Sequence, residues 1–213
     1  KGARKTYSPE IRKLLAKIKD FKITKIQICR EVVQSYVKTM VNKITLGKLK
    51  ESLKKHGYDE IYHLYCVIEF YDTDKNMTRQ IKCEKVHIVA ITQSFKIGDN
   101  VEVMQVPNIP DNLSINTFLS NANNKMGSSY FKYDPFNENG GTNCQLFIKS
   151  LLEYNDLLTP ELESFIYQDA EQIAQDISTP SKALLSGMTD LAARLDTVVK
   201  GQGFKAKKLC ACK

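Results

Sequence analysis

Residues 133–152, YDPFNENGGTNCQLFIKSLL, pass from a loop rich in Asn, Gly and Pro into an apolar-periodic run that opens at Cys144. Cys144, Phe147, Ile148, Leu151 and Leu152 recur at the i, i+3, i+4 spacing of one helical face. Thr142 or Asn143 can cap that helix, because a short side-chain oxygen accepts from the free N–H groups of the first turn. The reading places Cys144 at or beside a helix N-terminus, at the head of the stripe that faces the core. Such a position favours a reactive thiol. A free thiol is only about 3% thiolate at neutral pH, and the partial positive charge of a helix N-terminus, with a nearby imidazolium, lowers its pKa. The same N–H groups can hold the oxyanion of a tetrahedral intermediate. A catalytic thiol also needs a base, and the chain has three His residues.

Upstream, residues 58–71, YDEIYHLYCVIEFY, are dense in aromatic and β-branched residues and read as the strongest strand of the chain. Turn chemistry follows at 72–76. One or two further strands fit 78–92 and another fits 101–106, together an antiparallel meander of about four strands. Ser8-Pro9-Glu10 starts a helix that runs to about Asp20. The imperfect alternation of Ile23, Ile26 and Ile28 fits a short strand over 22–29. A helix is expected over 31–44, and Gly47 and Gly57 read as stops. Ser114 caps a helix ending near Gly127, and a short extended piece is expected over 128–133. Thr159-Pro160-Glu161 begins another helix, Thr179-Pro180 restarts helical structure as far as Val199, and the basic tail 204–213 is expected to fray. The fold class is α+β.

His56 sits in the polar segment KKHG and reads as surface. His87 lies in a strand-like run and reads either way. His63 lies inside the strongest strand, where Ile61, His63, Tyr65 and Val67 share one face and Tyr62, Leu64, Cys66, Ile68 and Phe70 share the other. A lone strand histidine is by default a core residue satisfied by hydrogen bonds. A core strand packed on the Cys144 helix would bring His63 to the thiol. A third group should orient the imidazole, and Lys82, Glu84 and His87 are the candidates on the next strand. Glu84 is the chemical favourite, since a carboxylate holds the required tautomer. Its structural alternative is an exposed residue paired with Lys82 or Lys85.

Apolar residues make up 42% of the 213 and charged residues 26%, which fits one globular core with helical extensions. No apolar run approaches the roughly 18 residues needed to span a bilayer. No signal-peptide pattern is present, and the start at Lys1 rather than Met fits an upstream segment that has been removed. The six Cys fall without CxxC pairs or His at zinc spacing, which argues against a structural zinc site. Cys29, Cys66 and Cys83 lie in strand-like apolar runs and read as small buried hydrophobes. A reducing intracellular compartment is expected. The net charge of +7 suits an anionic partner such as a membrane surface or serves solubility alone. The lack of a compact basic-aromatic stripe argues against nucleic acid.

The ordered set GYDEIYHLYCVIEF, IKCEKVHIVAI and MGSSYFKYDPFNENGGTNCQLFIKSLL resembles the circularly permuted NlpC-type papain-like superfamily, which includes lecithin:retinol acyltransferase and its phospholipase/acyltransferase relatives. In ordinary papain-like enzymes the cysteine helix precedes the histidine strand; here His63 precedes Cys144. The HLY strand, the EK of the next strand and the NCQ.F helix start are most similar to uncharacterised members encoded by large DNA viruses, and the likeness covers roughly residues 9–203. The resemblance implies Cys144 as nucleophile, His63 as general base and Glu84 as third member, with His87 left open. Gln145 follows the nucleophile as in the family pattern. The NENGG insertion departs from the shorter NNCQ form.

The implied division is an N-terminal helical extension (1–57), a permuted papain-like catalytic core (58–157), C-terminal helices packed on it (158–203) and a basic tail (204–213). The implied activity is that of a cysteine hydrolase or acyltransferase acting on an amide or ester, with a lipid ester or a peptide or isopeptide as substrate and no cofactor. Host cytoplasm or virion is the implied location. Cys210 and Cys212, beside Lys207 and Lys208, could carry acyl chains, or the tail is simply solvated. The competing reading is a virion-associated or scaffold protein that uses the fold as a non-catalytic module for docking a protein partner.

Overall fold

The computed structural model describes residues 6–32, 48–55, 62–134 and 140–167. Helix α1 (Pro9–Ile18) leads into strand β1 (Ile23–Val32), and helix α2 covers Lys48–Lys55. Strands β2 (Tyr62–Asp72), β3 (Met77–Lys85), β4 (Val89–Thr92) and β5 (Glu102–Gln105) follow. Helix α3 (Ile115–Met126) runs into a 3-10 turn (Gly127–Tyr130), and helices α4 (Cys144–Glu153) and α5 (Pro160–Ile166) close the described chain. The fold is α+β, with one antiparallel sheet in the order β4-β3-β2-β1-β5.

The sheet has five strands rather than about four. The fifth is β1, expected as a short strand over 22–29 but assigned to the N-terminal extension (1–57) and not to the sheet; it inserts between β2 and β5. The helix expected from Glu31 does not begin there. Glu31 pairs with His63 and Val32 with Tyr62, so cross-strand pairing carries β1 two residues past the point where helical periodicity sets in. The rest of that expected helix, Gly47, His56, Gly57, the helices after Tyr167 and the tail with Cys210 and Cys212 lie outside the described residues.

Alternation along β2 separates two faces. Leu64, Cys66, Ile68 and Phe70 join Ile26 and Ile28 of β1 and Ile81 and Cys83 of β3 against the helices. Phe118 and Leu119 of α3 and Phe147, Ile148, Leu151 and Leu152 of α4 complete this core. Each fully buried Ile, Leu or Phe contributes about 1.5–3 kcal/mol, so packing, more than helix propensity, fixes α4 on the sheet. The other face carries a small cluster of Cys29, Tyr65 and Val67, covered by the half-buried Phe95 and Val101. Among the described residues no helix is long and apolar enough to cross a membrane.

The segment expected to be extended over 128–133 is instead a 3-10 turn followed by one bridge. Gly127 ends α3 at φ 58°, a conformation that costs a residue with a Cβ. The turn swings Tyr130 inward, where its ring meets Phe147 at 5.2 Å and its hydroxyl hydrogen-bonds that of Tyr7 at 2.6 Å. The Tyr130 carbonyl accepts from the buried Lys85 Nζ at 2.6 Å. Full burial of Tyr130 is the reason extended backbone loses at this point.

Candidate active site

The start of α4 is built by its sequence. Asn143, with extended backbone, accepts from the Leu146 N–H through its side chain at 2.9 Å. Cys144 is therefore the first helical residue, half-buried, with the N–H groups of the first turn beside it. The loop that feeds this start is pinned at both ends by a bridge between Tyr133 and Thr142. The Thr142 N–H donates to Lys132 at 2.9 Å, and the Thr142 carbonyl accepts from the Asp134 N–H at 3.2 Å. Gly141 lets the two segments come this close: a Cβ there would stand 2.7 Å from the Asp134 Cβ.

His63 sits near the beginning of β2, on the face with Tyr65 and Val67, away from the helical core. The thiol nevertheless reaches it, because the β2–β3 ladder stops at the Tyr65–Glu84 rung. His63 and Leu64 lie beyond that rung, and the tip of α4 meets the strand there. The Cys144 sulfur hydrogen-bonds the His63 imidazole and accepts from the backbone N–H groups of Leu64 and Gln145. His63 Nε2 lies 2.8 Å from Glu84 Oε2, which leaves Nδ1 for the thiol. The other Glu84 oxygen, Oε1, lies 2.7 Å from Lys82 Nζ.

These contacts set the protonation states. Burial alone would lower the His63 pKa, but hydrogen bonds and charge from Cys144 and Glu84 overcome it and raise the pKa to about 10. Burial pushes the Glu84 carboxyl up, yet His63 and Lys82 together bring it down to about 2. Burial also pushes the Cys144 thiol up; the hydrogen bond and charge of His63, with the two main-chain N–H groups, bring it below its ordinary value. The arrangement therefore favours a thiolate–imidazolium pair backed by an ionised carboxylate. The pair titrates as a unit rather than as two separate groups.

The three residues singled out from the sequence, Cys144, His63 and Glu84, come together. His87 lies in the bend between β3 and β4, and Glu84 occupies the far ring nitrogen of His63. Glu84 also pairs with Lys82, but its side chain is only 14% exposed, so the exposed residue weighed as its alternative is not what the structure shows. The Leu64 N–H was not legible in the sequence, since its availability depends on where a ladder ends. Among the described residues no group of three or more His, Cys, Asp or Glu is arranged to hold a metal ion. A cleft of about 340 Å³ between α1 and α3 is lined by Tyr7, Arg12, Lys19, Asn116 and Ser120, among others, and by none of the three site residues.

No family model matches the sequence, and neither a curated protein nor a solved structure matches it.

Proposed function

We propose that this protein is a thiol-dependent hydrolase or acyltransferase acting on an amide or ester, built on a permuted papain-like core. One observation carries the reading: the sulfur that opens α4 is hydrogen-bonded to an imidazole whose far nitrogen meets a carboxylate. The chain order, His63 strand before Cys144 helix, fits the permuted arrangement.

The chemistry follows from the groups in place. The Cys144 thiolate attacks the carbonyl carbon, and the C=O π pair moves onto oxygen. The Cys144 main-chain N–H at the start of α4, where the Asn143 side chain takes the Leu146 N–H, can help hold that oxyanion. Imidazolium His63 gives its proton to the leaving amine or alkoxide as the C–N or C–O bond breaks, which leaves a thioester on Cys144. Water then attacks the thioester while His63 takes its proton; the C–S bond breaks, its electron pair returns to Cys144 as thiolate, and the acyl group leaves as the acid. An alcohol or amine in place of water makes the same step a transfer. Glu84 holds the ring and its tautomer throughout.

The test is selective alkylation. Iodoacetamide at pH 6 to 7 labels Cys144 far faster than Cys29, Cys66 or Cys83, which are buried, and His63→Ala slows that labelling by roughly 10-fold to 100-fold, the share of thiolate lost when the partner is removed. Equal labelling of all accessible thiols, or no effect of His63→Ala, ends the proposal. Incubation with mixed acyl-lipid and peptide libraries, read by mass spectrometry against Cys144→Ala, then names the bond.

A further inference from the structure

We propose that Lys82 is a positioning residue of this site, acting on the imidazole through Glu84. The inference rests on the thiol–imidazole reading above and adds a fourth member to it. The Glu84 carboxylate is gripped at both oxygens, by His63 Nε2 at 2.8 Å and by Lys82 Nζ at 2.7 Å. A carboxylate held on one side only is free to turn about its last side-chain torsion, which is broad and roughly two-fold. Lys82 removes that freedom. Its own ammonium is fixed over the Tyr65 ring, 4.9 Å from the centroid, and Tyr65 in turn hydrogen-bonds the buried Cys29. Lys82 and Glu84 lie two apart on β3, so they share a face of the sheet with Tyr65 and His63.

The charges then alternate across four groups: thiolate, imidazolium, carboxylate, ammonium. An uncompensated carboxylate would hold the imidazolium proton too tightly for its transfer to a leaving group. Lys82 offsets part of that negative charge while keeping the carboxylate in place. The groups facing His63 are Cys144 from α4, Glu84 with Lys82 behind it from β3, Glu31 opposite it on β1 and Tyr65 on its own strand. Lys82 is the cation among the strand residues in this set.

The experiment is the pH profile of Cys144 alkylation by iodoacetamide in the full chain, read at its acid edge. Lys82→Met keeps the stem over Tyr65 and is expected to move the edge up by about half a unit, a roughly threefold slower reaction below the edge. Lys82→Arg restores the wild-type edge. In a Glu84→Gln background, Lys82→Met is expected to move the edge no further, because the lysine works through the carboxylate. An edge unmoved by Lys82→Met, with only the melting temperature lowered, makes Lys82 a structural residue and overturns the inference. So does an equal shift in both backgrounds, which would be a through-space charge effect. A wild-type edge in the ordinary thiol range overturns the parent reading itself, before any lysine variant is compared.

Discussion

Position 84 shows how much one side chain decides. Glu84 accepts from His63 Nε2 and carries the negative charge that helps raise the imidazole to about 10. Glu84→Gln keeps an oxygen in reach and removes the charge. The expected outcome is a fall of about one unit or more in the alkaline inflection of His63, followed by 15N shifts of its ring nitrogens. An inflection that stays in place would leave Glu84 as no more than the ion-pair partner of Lys82. The sequence favoured Glu84 on chemical grounds alone, since a carboxylate suits an imidazolium. It did not separate Glu84 from His87, because the choice depends on strand register. Tyr65 pairs with Glu84, and the alternation then turns Glu84 to the face of His63. His87 falls past the end of β3, where backbone alternation no longer applies.

Among the elements, helix starts were the most legible. Ser8, Ser114, Asn143 and Thr159 each accept from a first-turn N–H, and each is a short polar residue before an apolar-periodic run. Strand β1 was harder to delimit, because its last residues precede a helix-like pattern and only pairing with β2 extends it. The end of the β2–β3 ladder, which admits the thiol to His63, has no local signature at all. Two substitutions test the start of α4. Asn143→Ala removes the cap and is expected to cost about 1 kcal/mol, read by urea unfolding, and to slow Cys144 alkylation. Gly141→Ala places a methyl 2.7 Å from the Asp134 Cβ and 3.0 Å from its backbone nitrogen. One strand of the bridge must then shift, at a cost of about 1–3 kcal/mol. Wild-type stability and alkylation in Gly141→Ala would mean that the Tyr133–Thr142 bridge does not set the position of the thiol.

For the molecule as a whole, the proximity of Cys144 and His63 has a thermodynamic signature independent of any substrate. The His63 pKa is raised from its ordinary 6.5 to about 10, so its stabilising contribution is full below about 6.5 and is lost as pH rises through about 10. The Cys144 pKa is lowered from its ordinary 9.0, so its contribution is full above about 9 and is lost as pH falls through the lower folded value. Where the two ranges overlap, above both about 6.5 and the lowered thiol range and below about 9, the two slopes are equal and opposite. Folded and unfolded chains bind the same number of protons at this pair, as thiolate–imidazolium in one and thiol–imidazole in the other. The pair therefore adds no pH dependence to stability over that window. Cys144→Ala removes one slope and leaves the other, since Glu84 still raises His63. Within that window the variant is expected to lose stability relative to wild type as pH rises, by up to about 1.4 kcal/mol per pH unit, until its own His63 deprotonates. Urea midpoints for both proteins at pH 6.5, 7.5 and 8.5, under reducing conditions, measure the difference. Other shifted groups, such as Tyr7 and Cys66, titrate alike in both chains and cancel. Parallel curves would mean that sulfur and imidazole do not exchange a proton in the folded protein, and the chemistry proposed for them would go with that result.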